Sequence, residues 1–145
     1  MKARHLTILG LLLLVPAATA GLWEADAASL AGAFEGEAES FGNWAVLDGV
    51  QRSTVREHFT SLLEIARGLL EGWMSGLAGR GLDEETVAAL WGRMKRLKAE
   101  LDELSSRGAA GVIETRAAEG YYAVTLLEAA GNLRELALLF DDADL

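Results

Sequence analysis

From Trp23 onward, apolar residues recur every three or four positions, and no stretch alternates apolar with polar long enough to suggest a strand. The spacing predicts four amphipathic helices. The first runs from about Glu24 to Phe41, with Trp23, Ala27, Leu30, Phe34, Ala38 and Phe41 on one face, and Gly42 and Asn43 end it. The second runs from about Val50 to Leu77. Asp48 caps its start, with Gln51 three residues on, the spacing of a capping box. Its seam is Val55, Phe59, Leu62, Ala66, Leu69 and Trp73, and Gly79 and Gly81 close it.

Asp83 caps the third helix, Glu84 and Glu85 lie at the positive end of its dipole, and Leu82 can staple onto Val87. Val87, Leu90, Met94, Leu97, Leu101 and Leu104 form its core row, with Ser105 to Gly108 as its end. The fourth helix runs from about Ala109 to Phe140. The "DDADL" that follows is expected to fray, because acidic groups at a helix C-terminus oppose the dipole.

Short connections between amphipathic helices predict an all-α fold, an antiparallel up-down bundle of four helices forming one domain over residues 21–145. The alternative is a three-helix core with a loosely docked N-terminal helix. That first helix is short, carries glycine, and its acids (Glu24, Asp26, Glu35, Glu37 and Glu39) meet no basic residue before Arg52.

Two rows fall outside the simple pattern. Gly68, Gly72 and Gly76 stand four apart in the second helix, although each glycine costs a helix about 1 kcal/mol relative to alanine. They form a smooth strip beside the seam. Such a strip admits a bulky neighbour, with Trp91 or Tyr122 as candidates, or a second helix. If it is packed, Gly72→Leu should cost about 1–3 kcal/mol by overpacking.

The fourth helix is apolar on two sides. Tyr122, Leu126, Ala129, Leu133, Leu136 and Phe140 make one face; Ile113, Tyr121, Val124, Leu127 and Leu138 make nearly the opposite one. Glu114, Thr125, Glu128 and Asn132 form a narrow polar strip between them. Either this helix is buried on both sides between its neighbours, or its second face is open for a partner. Tyr121, Val124, Leu127, Leu138, Gly68, Gly72 and Gly76 are therefore the candidate partner-binding residues.

The first twenty residues carry a separate message. A short basic segment, "MKARH", precedes the apolar run "LTILGLLLLV", then Pro16 and the small residues of "AATA". Those are the three parts of a secretory signal peptide, cleaved after Ala20. The alternative is an uncleaved N-terminal membrane tether, but Leu6 to Trp23 falls short of the roughly 20 apolar residues a span needs. An exported, periplasmic or extracellular protein is expected, with no membrane span once the leader is removed. Cleavage takes away Lys2 and Arg4, moving the formal net charge from −9 to −11. That acidity argues against nucleic acid and anionic lipid. With no cysteine, the chain forms no disulfide and supports no thiol chemistry or covalent haem attachment.

Candidate chemistry is sparse. His58 is the one histidine after the leader, and a lone imidazole cannot make the paired sites zinc or copper prefer. Together with Met74 or Met94 it could hold haem, which makes a haem- or metal-binding bundle the alternative function. Ser53, Ser61, Ser75, Ser105 and Ser106 lie in no activating motif, and "GLAGRG" lacks the lysine and hydroxyl of a phosphate loop. Arg93, Lys95, Arg96 and Lys98 form a basic cluster with Glu100, Asp102 and Glu103 in reach, and Lys98 can pair with Asp102 one turn on. The expectation is a small exported bundle with no enzyme activity and no cofactor. It would act by protein–protein or hydrophobic-ligand binding, toward an unknown protein partner or by self-association.

Overall fold

The computed structural model describes residues 22–109 and 116–145. The leader, Ile113 and Glu114 lie outside the described residues. Four helices appear in chain order: α1 (Trp23–Gly42), α2 (Gly49–Gly76), α3 (Glu84–Ala109) and α4 (Arg116–Asp142). Short 3₁₀ turns at Trp44–Val46 and Leu77–Arg80 follow α1 and α2.

Local signals set most of the ends. The Asp48 carboxylate accepts the Gln51 N–H at 2.8 Å and the Gln51 side chain accepts the Asp48 N–H at 3.0 Å, completing the capping box of α2. Asp83 accepts the Thr86 N–H at 2.7 Å at the start of α3, and the Thr86 side chain together with this N–H holds its carboxyl below the usual range. Gly81 turns the chain between α2 and α3 with φ +69°, a left-handed conformation that favours glycine. The expected end of α3 at Ser105 is overrun, and the helix continues to Ala109.

The helices run up, down, up, down. Trp23, at the start of α1, packs edge-on against Phe140 at the end of α4, with ring centroids 5.4 Å apart. Trp73, near the end of α2, meets the same ring at 5.1 Å. At the opposite end, Phe41 of α1 contacts Phe59 of α2 at 5.1 Å and Tyr122 of α4 at 5.3 Å. Arg67 of α2 reaches Asp102 and Ser105 of α3, and the link over 77–83 is too short to carry the chain back along α2, so those two helices are antiparallel as well. Two aromatic clusters thus close the ends of a core filled by leucine and alanine. All six residues of the predicted inner face of α4 are fully buried.

The loosely docked first helix is not observed. α1 packs against α4 in the most extensive helix contact of the fold. Eleven of its twenty residues are buried, including Ala27, Ala31, Ala33 and Ala38, so the backbones can come close. Arg134 of α4 adds a two-pronged ion pair to Glu35, with Nε donating at 3.0 Å. The acids of α1 meet no basic residue before Arg52 along the sequence, and Glu35 pairs with a base 99 positions on.

The C-terminal residues do not fray either. Asp144 adopts φ +58°, its N–H bonds to the Asp141 carbonyl at 3.1 Å, and the Leu145 N–H bonds to the Phe140 carbonyl at 2.7 Å. This is a Schellman motif with aspartate in the place usually held by glycine. It turns Leu145 inward, where its side chain is buried and its carbonyl accepts the Trp23 N–H at 2.7 Å. The tail thereby satisfies a free donor at the start of α1, where Leu22 offers no side-chain cap.

Candidate functional site

α4 touches both α1 and α3, and its inner face is sealed by them. Its outer face stays open. Val124, Leu127 and Leu138 are 56%, 54% and 64% exposed. Val124, Gly131 and Leu138 are spaced by seven, and Leu127 falls three after Val124, so these residues share one stripe along the helix. Gly120 and Gly131 are both exposed, and a Cβ on either would meet no atom within 4 Å. Tyr121 belongs to the stripe less than expected: it is half-buried, with its ring edge-on to Tyr122 at 5.6 Å.

The stripe has two unlike margins. Glu128, Glu135 and Asp142 follow Val124, Gly131 and Leu138 by four residues each and line one side, all exposed. The other side carries Arg134, engaged by Glu35, and the exposed Asp141. Beyond the acidic margin a shallow groove of about 530 Å³ runs between α4 and α3. At its floor Asn132 donates to Glu100 at 2.6 Å and accepts from Arg93 at 3.1 Å. Asn132 is buried by this pairing, not part of an exposed polar strip as the helical spacing suggested. Burial raises the Glu100 carboxyl above its usual value despite the Asn132 bond.

The glycine row of α2 behaves differently. Gly76 does receive an indole, but it belongs to Trp23: a Cβ there would sit 3.0 Å from Trp23 Cζ2. Neither Trp91 nor Tyr122 is the neighbour. Gly68 and Gly72 are exposed, with no atom within 4 Å of an added Cβ, so overpacking at Gly72 is not expected. Around them lie Glu64, Arg67 and Glu71, all exposed, which makes the strip polar ground.

The residues considered for haem are not brought together. His58 precedes Met74 by sixteen positions on α2, about 24 Å along the axis. Met74 lines a groove of about 190 Å³ with Leu70, Leu101, Arg67 and Lys98. There Lys98 pairs with Asp102 at 2.9 Å as its spacing predicted, and Arg67 joins the same carboxylate at 3.2 Å. Met94 is fully buried in the core row of α3. Among the described residues no three His, Cys, Asp or Glu side chains cluster to hold a metal.

Two titratable groups escaped sequence reasoning. Asp26 and Glu37 lie on one face of α1, eleven residues apart, and both are buried. Both Asp26 oxygens and Glu37 Oε2 have no hydrogen-bond partner among the described residues. Desolvation pushes Asp26 up to about 6 and Glu37 up to about 8. Helical spacing could have exposed them, since Asp26, Leu30, Ala33, Glu37 and Phe41 step by fours and threes through the buried arc.

Among the described residues no helix is long and apolar enough to cross a membrane. Comparison of the chain with protein-family models, with curated proteins and with solved structures returns no match.

Proposed function

We propose that this chain is an exported helical bundle that works by binding a protein partner on the outer face of α4. The observation that carries the reading is the group of Val124, Leu127 and Leu138, each more than half in solvent and all on one face of the helix. Exposed apolar side chains scattered singly need no explanation, whereas an aligned row marks an interaction face. Helix faces of this kind are read by other helices. A small hydrophobic ligand fits less well, because such ligands bury themselves in concave pockets and this stripe lies on the convex outside of the bundle. Export rests on the leader pattern of residues 1–20.

A native-state assay tests the reading. The folded protein should enhance the fluorescence of a hydrophobic dye, and Leu127→Ser with Leu138→Ser should remove most of that signal without moving the unfolding midpoint. A wild-type protein that leaves the dye dark would sink it. For export, mass spectrometry of the product from a fractionated host should find the chain starting at Gly21 outside the cytoplasm; an intact leader on cytoplasmic protein argues the reverse.

A further inference from the structure

The stripe on α4 is bordered by charge of one sign, and that border selects the partner. Glu128, Glu135 and Asp142 repeat every seven residues along one margin and Asp141 stands near the other, all exposed. None of the four makes an ion pair within the described residues. Among the described residues the nearest cations are already engaged or set back. Arg134 is held by Glu35, Arg93 donates to Asn132, and Arg96 stands on the far bank of the groove beside Glu100. The stripe is therefore an apolar row with an unneutralised acidic margin.

A second copy of this chain does not satisfy that margin. In an antiparallel pair with two-fold symmetry, each helix keeps its Glu128–Glu135–Asp142 margin on the same side as its mate's, and acid meets acid. A parallel pair lays the acidic margin along the opposite margin of its mate, where Arg134 is already held by Glu35 and Asp141 adds a like charge. The net charge of −9 adds long-range repulsion between copies.

Resting on the proposed binding role of this face, we propose that the partner of α4 is a basic amphipathic helix. Its apolar row lies on Val124, Leu127 and Leu138, and its lysines or arginines meet Glu128, Glu135 and Asp142. Gly131, in the middle of the stripe, lets the partner backbone approach, since a Cβ-sized space above it is empty. From Gly120 to Leu138 is eighteen residues, about 27 Å, so a partner helix of about five turns covers the stripe.

Three synthetic 21-residue peptides test this, each three heptads with leucine at positions a and d, and lysine, glutamine or glutamate at e and g. Titrated calorimetrically into the folded protein, the lysine peptide should bind at least tenfold more tightly than the glutamate peptide, and 0.5 M salt should erase most of that difference. Glu128→Lys with Glu135→Lys, at exposed positions, should reverse the order. Leu127→Asp should abolish binding while leaving the circular dichroism spectrum and unfolding midpoint unchanged. Equal binding of all three peptides, lost in Leu127→Asp, would overturn the basic partner and leave the binding face intact. Binding of no peptide would overturn both. A dimer of the purified protein that Leu127→Asp converts to monomer would make the occupant a second copy and overturn the proposal.

Discussion

On one side of α4, Tyr122, Leu126, Ala129, Leu133, Leu136 and Phe140 are cut off from water by the other three helices; on the other, Val124, Leu127 and Leu138 stand more than half in it. The two rows have comparable hydrophobicity and the same helical rhythm, so hydrophobicity alone does not assign them. What separates them is partnership. The inner row meets the alanine-lined face of α1, which lets two backbones close on each other, and the core row of α3. Among the described residues the outer row stands more than half in solvent. Its margin is acidic, whereas the inner row is flanked by a satisfied pair, Glu35 with Arg134, and a satisfied triad, Arg93 with Asn132 and Glu100. Polar neighbours of the core are spent on holding the bundle; those of the outer stripe are available.

The largest expected effect follows from that contrast. Leu133→Ala should destabilise the bundle by about 2–5 kcal/mol, because it leaves a cavity at a fully buried position. Leu127→Ala, six residues earlier on the outer row, should stay within about 0.5 kcal/mol of wild type. Urea unfolding of the two variants decides between them, and a large loss at Leu127 would mean that the outer face is covered.

Charge sharpens the same division. Glu37 is sealed inside against α1's own core row and Glu135 is open outside. Burial lifts the folded-state value of Glu37 from the ordinary 4.5 to about 8, and that of Asp26 from 3.8 to about 6. The folded state therefore holds these protons more tightly than the unfolded chain. Their contribution is fully present below about pH 4 and is lost as pH rises, through about 6 for Asp26 and about 8 for Glu37. Thermal unfolding should show the midpoint falling between pH 5 and pH 8.5. Glu37→Gln should raise stability at pH 8.5 by a few kcal/mol (one pKa shift of one unit being about 1.4 kcal/mol) and flatten the profile.

The period of the apolar residues was enough to place four helices, the two caps at Asp48 and Asp83, the inner row of α4 and the existence of a second row. It failed where the deciding partner is distant in sequence. The helical wheel of α1 shows an acidic helix with no base nearby; the pairing of Arg134 with Glu35 and the close packing of α1 on α4 are visible only in three dimensions. It failed likewise at the C-terminus, where the dipole argument predicted fraying. Dipole repulsion at an exposed end costs a few tenths of a kcal/mol to about 1, and the burial of Leu145 with its two-way backbone bonding outweighs it. Deleting Asp144 and Leu145 should accordingly cost about 1–2 kcal/mol by uncapping α1 and removing the buried Leu145 side chain, as read by urea unfolding. An unchanged midpoint would return the tail to the outside.

The smallest effects lie in the glycine row of α2, where one helix holds both situations at four-residue intervals. At Gly72 an added methyl enters open space and the helix gains propensity, so Gly72→Ala should stabilise by up to about 1 kcal/mol. At Gly76 the same methyl comes within 3.0 Å of Trp23. That indole is not free to step aside: Phe140 packs edge-on against it at 5.4 Å and the Arg80 guanidinium covers its ring at 4.3 Å. The cost of crowding a packed aromatic, about 1–3 kcal/mol, then exceeds the propensity gain, and Gly76→Ala should be net destabilising. Opposite signs at two positions one turn apart would show that only the end of the row was shaped by packing. Stabilisation at both would mean that Trp23 is loosely held, and with it the junction of α1, α2 and the C-terminal tail.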